Sequence, residues 1–193
     1  MNPFIEYKSI LDTYVYEEAI PFIKSAWDEP HRKYHNLDHL ESILSYISKY
    51  RYQLHQLDYD SLVLASFFHD VYYDPKNNLS DEDESIKRFI SSYKDSNYIT
   101  KDNVITMIES TKHRKIPKHY LVKIFWMADN QSFYEGYDEL LKNEKNIRKE
   151  FNHLQNIVYK KKRIEFLKSN IGLFGEEGNK NINKLIQYIN INY

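Results

Sequence analysis

The chain has 193 residues, and its 27 Lys and Arg nearly balance 28 Asp and Glu, for a formal net charge of −1. That balance argues against duplex nucleic acid as a partner, which asks for a basic excess, but leaves room for a small phosphorylated substrate that needs only a few local cations. Cysteine is absent, so disulfides and thiolate chemistry are excluded and any transition metal must be held by His and carboxylates.

Hydrophobic residues at 41% and aromatics at 16% are enough for a core at this length. Glycine (4) and proline (5) are scarce, three of the glycines fall between Gly172 and Gly178, and strand-like alternation with hairpin turns is hard to find. The expectation is all-α: a single-domain helical bundle over residues 1–193. No run approaches 18 uninterrupted apolar residues, and the opening MNPFIEYKSILDTY lacks a continuous apolar stretch. Neither a membrane span nor a signal peptide is expected, and a cytoplasmic location follows as the default.

In chain order, helices are predicted over 3–12 and 14–28, with Pro21 kinking the second or opening a new one. The loop Asp28-Glu29-Pro30-His31-Arg32-Lys33 leads into a helix from Asn36 to Tyr50. Asp60 suits an N-cap for the next helix, on which Leu62, Ala65, Ser66, His69 and Tyr73 share one face until Pro75 stops it. Ser80 with Asp83 matches the S/T-x-x-D/E start of a helix to Tyr93, and Thr100 caps another ending near His113. Further helices are predicted from Pro117 to Asn130 and over 180–191, and a Gly- and Pro-free segment fills 137–171.

Three stretches carry chemistry: Tyr34-His35-Asn36-Leu37-Asp38-His39, Phe67-Phe68-His69-Asp70 and Trp126-Met127-Ala128-Asp129. His69-Asp70 follows an apolar run, where two ionisable groups are costly unless something compensates them, as a metal ion does. Asp129 likewise ends an apolar segment. His35 and His39, at i and i+4, suit two ligands of one metal, or one ligand and one substrate donor. Two His and two Asp form a nitrogen and oxygen set fit for Mn, Fe, Co, Zn or Mg and poor for soft metals. Four protein ligands on a six-coordinate ion leave positions for water and a phosphate oxygen.

This order resembles the H…HD…D signature of the HD superfamily. Its surroundings are similar to a bacterial and viral group of predicted metal-dependent HD phosphohydrolases, through Glu29-Pro30-His31-Arg32-Lys33-Tyr34-His35-Asn36 with His39, and Phe68-His69-Asp70-Val71-Tyr72-Tyr73-Asp74-Pro75. Looser matches are Asp81-Glu82-Asp83-Glu84-Ser85, Thr111-Lys112-His113, Asp129, Ile147-Arg148-Lys149-Glu150-Phe151 and Tyr159 with Arg163, so the likeness runs over about 29–182. It departs where Met127 replaces the first acid of an Asp-Ala-Asp stretch and where a terminal AR-x-NL is reduced to Asn179-Lys180-Asn181-Ile182.

The resemblance implies one divalent ion (Mn, Mg, Co, Fe or Zn) on His35, His69, Asp70 and Asp129, with hydrolysis of a small phosphorylated substrate, a nucleotide by family analogy. Asp70, Asp74 and Glu82 would then serve catalysis by steering water or protonating a leaving group. Arg32, Lys33, His39, Lys112, His113 and Arg148 would contact substrate, Arg by paired hydrogen bonds to phosphate. His113, with His119, is also the candidate for a second metal bridged by Asp70. The competing readings are a non-catalytic, metal-stabilised nucleotide- or partner-binding module, and a di-iron oxygenase. The chain is expected to work as a monomer or homo-oligomer, away from membranes.

Overall fold

In the computed structural model, which describes residues 2–77, 79–94, 97–112 and 115–193, helices account for the regular structure. The fold is all-α, as expected, and among the described residues the only strand-like pairing is an isolated antiparallel bridge between Val15 and Tyr93. No helix among them is long and apolar enough to cross a membrane. Two compact units form, one from the described residues of Met1–His113 with Pro117–Asp129, the other from those of Arg114–Ile116 with Asn130–Tyr193.

The first unit holds α1 (Pro3–Glu6), α2 (Lys8–Tyr14), a 3-10 turn (Glu17–Ala19), α3 (Ile20–Trp27), α4 (Leu37–Ser48), α5 (Gln56–Phe68), α6 (Asp81–Ser92), α7 (Tyr98–Thr111) and α8 (Tyr120–Asp129). The predicted helix over 3–12 is broken at Tyr7, and Pro21 sits in the opening turn of α3, where its fixed φ fits and its missing N–H costs nothing. Asn36 caps α4, its Oδ1 accepting from the backbone N–H groups of Asp38 at 3.0 Å and His39 at 3.4 Å.

Two predicted caps are corrected. α5 begins four residues before Asp60, which is buried inside it and accepts from Tyr14 Oη at 3.0 Å and Gln56 Nε2 at 2.6 Å. α7 is capped by Asn97, whose Oδ1 accepts from Ile99 and Thr100 N–H, so Thr100 lies buried one turn inside. The cap at Ser80 forms as read, its Oγ accepting from Asp83 N–H at 3.2 Å.

α5 is the centre of this unit, with α2, α4, α6, α7 and α8 packed around it. Every residue from Tyr59 to Phe68 is buried, so the single apolar face expected for this helix gives way to burial on all sides. Trp27, Leu40, Ile43, Phe67, Phe89 and Phe125 are among the fully enclosed side chains of its core. The helix stops at Phe68 rather than running on to Pro75, and the turn that follows carries His69 and Asp70.

The second unit contains α9 (Ser132–Glu135), α10 (Tyr137–Glu150), α11 (Asn156–Ser169) and α12 (Gly175–Asn192). Gly136, at φ +120°, supplies the backbone between α9 and α10 that a side chain would resist. The Gly- and Pro-free segment over 137–171 is interrupted after Glu150, where the Arg148 guanidinium donates to Phe151 O (2.7 Å), Leu154 O (3.1 Å) and Asn156 Oδ1 (2.7 Å). Within this unit the fully buried Glu144 carboxylate accepts from Tyr159 Oη at 2.8 Å and Arg163 Nε at 2.7 Å.

Candidate metal centre

The end of α5 leaves carbonyls that no further helical turn satisfies. Their partners account for the shape of the site. Ala65 O accepts from His69 N–H, Ser66 O from His69 Nδ1 at 2.9 Å, and Phe67 O from Trp27 Nε1 at 2.9 Å. Val71 N–H closes onto Phe68 O, and Arg32 donates to Asp70 O at 2.5 Å and Val71 O at 3.4 Å. Side chains thus cap the helix and lock the turn that bears the His-Asp pair.

A carbonyl cannot donate, so the Nδ1 of His69 carries a proton toward Ser66, and Nε2 faces inward. There Nε2 meets Asp70 Oδ2 at 3.0 Å, His39 Nε2 at 3.4 Å and Asp129 Oδ1 at 3.7 Å. His39 Nε2 in turn lies 3.3 Å from Asp129 Oδ1 and 3.8 Å from Asp70 Oδ2. α4, the α5 turn and the end of α8 each contribute to this point. His39, His69 and Asp70 each bring a ligand atom within 4.8 Å of the others, a group that could hold a metal ion.

The donor set fits a divalent cation. One imidazole is fixed by a backbone carbonyl behind it, the arrangement that orients metal-ligating histidines. Electrostatics agree: burial opposes charge on His69, but the carboxylates of Asp70 and Asp129 outweigh it and push its pKa up to about 9. Burial likewise opposes charge on Asp70, yet the charge and hydrogen bond of His69, with His35 and His39 beyond, hold its carboxyl well below the usual range. Without an ion, a proton on His69 takes the compensating role.

The structure brings His69, Asp70 and Asp129 together, and the imidazole of His39, read from sequence as a substrate contact, reaches them. His35, the ligand expected from sequence, is near enough that its charge acts on Asp70. Its ring stacks on Tyr73, centroids 4.1 Å apart, and lies 5.9 Å from that of His39. His35 precedes the Asn36 cap, and His39 sits in the first turn of α4.

Other predicted residues are placed as follows. Arg32 is buried, its guanidinium turned to backbone carbonyls and Glu29. Lys33 is exposed, and Lys112 pairs with Asp83. Arg148 belongs to the second unit, where it holds the turn after α10. His113 lies outside the described residues, and His119 is exposed. Asp74 accepts from Lys76 N–H at 2.9 Å, and Glu82 from Ser80 Oγ at 2.9 Å.

The acid that sequence reasoning passed over is Asp81, which accepts from Asp74 N–H at 3.4 Å. Burial pushes its carboxyl up to about 6, the charges of Asp70 and Glu82 adding and His35 opposing. Four consecutive acids from Asp81 to Glu84 signalled this turn, but nothing in the spacing singles out the first. No protein-family model, no curated protein and no solved structure matches this chain.

Proposed function

We propose that the chain is a metal-dependent phosphohydrolase that binds one divalent ion (Mn, Mg, Co, Fe or Zn) through His39, His69, Asp70 and Asp129. The observation that carries this reading is the convergence of two imidazoles and two carboxylates at the capped end of α5, with the Nε2 of His69 aimed inward. A divalent ion there supplies acidification of a water and polarisation of a phosphoryl oxygen. Asp70 faces both imidazoles, which supports assigning it the orientation of the attacking water. His35 and Asp81 border the group and are the candidates to meet substrate or pass a proton to the leaving oxygen. The choice of phosphoester chemistry, and of a nucleotide as substrate, rests on the H…HD…D resemblance.

The test is metal analysis of the purified protein together with a phosphate-release screen over nucleoside mono-, di- and triphosphates, alarmones and cyclic nucleotides, each with Mn²⁺, Mg²⁺, Co²⁺ and Fe²⁺. Expected is one metal per chain and turnover that needs it. One observation favours a second reading, a non-catalytic metal-stabilised binding module: Arg32, Lys112 and Arg148, the cations expected for phosphate, are engaged by the protein itself. Metal without turnover across the screen decides for that module.

A further inference from the structure

Arg32 stands in the motif where a phosphate ligand is expected, yet its side chain has no exposed surface. Its Nε donates to Glu29 Oε2 at 2.8 Å. One terminal nitrogen donates to Asp70 O at 2.5 Å and His35 O at 3.4 Å, and the other to Val71 O at 3.4 Å. The guanidinium also lies against the rings of Trp27 and Tyr73, 5.8 and 5.5 Å from their centroids. One planar fork therefore ties the loop that leads to His39 to the turn that carries His69 and Asp70.

We infer that Arg32 is a positioning residue of the metal centre: by holding the Asp70 and Val71 carbonyls it fixes the direction in which the Asp70 carboxylate points. This rests on the proposed metal centre. Asp70 is the pivot because its carbonyl accepts from Arg32 while its carboxylate meets His69. Three directed contacts at Glu29, Asp70 and Val71 use the fork of an arginine. A lysine ammonium, a compact charge on a flexible stem, cannot reach all three at once. Residues behind metal ligands commonly govern affinity by orienting them.

The test uses the full chain stripped of metal, as wild type, Arg32→Met and Arg32→Lys. Co²⁺ is titrated by calorimetry and by its visible absorption band, and thermal unfolding is recorded separately in chelator. Arg32→Met should weaken Co²⁺ binding by about 10–100-fold and alter the band, with Arg32→Lys in between. A residue that only props up the fold lowers the unfolding temperature and leaves both affinity and band in place. Wild-type affinity and spectrum in both variants overturn the inference about Arg32 while the metal centre stands. If Arg32→Met does not fold, Arg32→Lys decides by the same criterion. A wild-type chain that binds no Co²⁺ overturns the metal centre and this inference with it.

Discussion

Removing the proposed metal, rather than a residue, should make stability fall with pH over a window in which the metal-bound protein holds level. In chelator the centre is held together by a proton on His69, whose pKa the carboxylates of Asp70 and Asp129 push up against burial to about 9, from an ordinary value of about 6.5. A folded-state pKa above the unfolded one gives stabilisation that is complete below about 6.5 and lost as pH rises through about 9. Over that window of roughly 2.5 pH units, at about 1.4 kcal/mol each, the chelated protein should lose about 3 kcal/mol. For a domain of this size that is a fall in Tm of roughly 10 °C.

Asp70 acts at the other end. Its depressed pKa stabilises above about pH 4 and is lost on acidification. With Mn²⁺ the loss over the alkaline window is cancelled, and stability stays level from about pH 6.5 to 9. The ion must displace the proton, so its affinity should climb by about tenfold per pH unit up to about 9, and the stabilisation it brings climbs with it. Differential scanning calorimetry from pH 5 to 9.5, with chelator and with Mn²⁺, reads both curves. A chelated Tm that stays flat between pH 6.5 and 9, or two curves that run parallel, refutes the proton-for-metal exchange.

Asp70→Asn keeps the shape and drops the charge, so metal content by mass spectrometry and turnover should both fall while far-UV circular dichroism holds. The same variant should flatten the alkaline slope in chelator, because His69 loses its nearest carboxylate. His39→Gln should cost more Mn²⁺ affinity than the roughly 10–100-fold typical of a residue behind the ligands, and His35→Gln less; the reverse order in equilibrium dialysis returns the ligand role to His35. In the second unit, Arg163→Met leaves the enclosed Glu144 carboxylate with Tyr159 alone, and urea unfolding should report a loss of about 3–5 kcal/mol. Arg148→Ala should lower stability by about 1–3 kcal/mol through the freed turn carbonyls and leave KM unchanged; a raised KM at full stability would give Arg148 back to the substrate.

Helices were legible in this sequence because so little interrupts them, and their starts were misread where a polar residue that suits a cap lies inside the helix instead. Asp60 has the chemistry of an N-cap, but Tyr14 reaches it from 46 positions away and α5 encloses it. Thr100 also suits a cap, but Asn97 three residues earlier takes that role, accepting from the Ile99 and Thr100 N–H groups. The His-Asp pair was legible because charge after an apolar run demands compensation. That His39 also reaches the carboxylates was not legible as more than one of two options, since i and i+4 share a helical face only when both lie in the helix and His35 precedes it. Arg32 was read as a cation for phosphate because the carbonyls it caps exist only once α5 has ended and the chain has turned.

That helix end is also what makes the centre possible. α5 is buried on every side, so its last carbonyls cannot turn to water, and side chains must come to them. Trp27, His69 and Arg32 do so, and each thereby approaches the same turn. His69 serves both needs with its two nitrogens, Nδ1 on the Ser66 carbonyl and Nε2 on the carboxylates. Capping the helix and aiming a ligand are therefore one act of folding. A change that loosens the cap should reach the proposed metal before it reaches the rest of the core, because His69 and Asp70 sit on the turn itself.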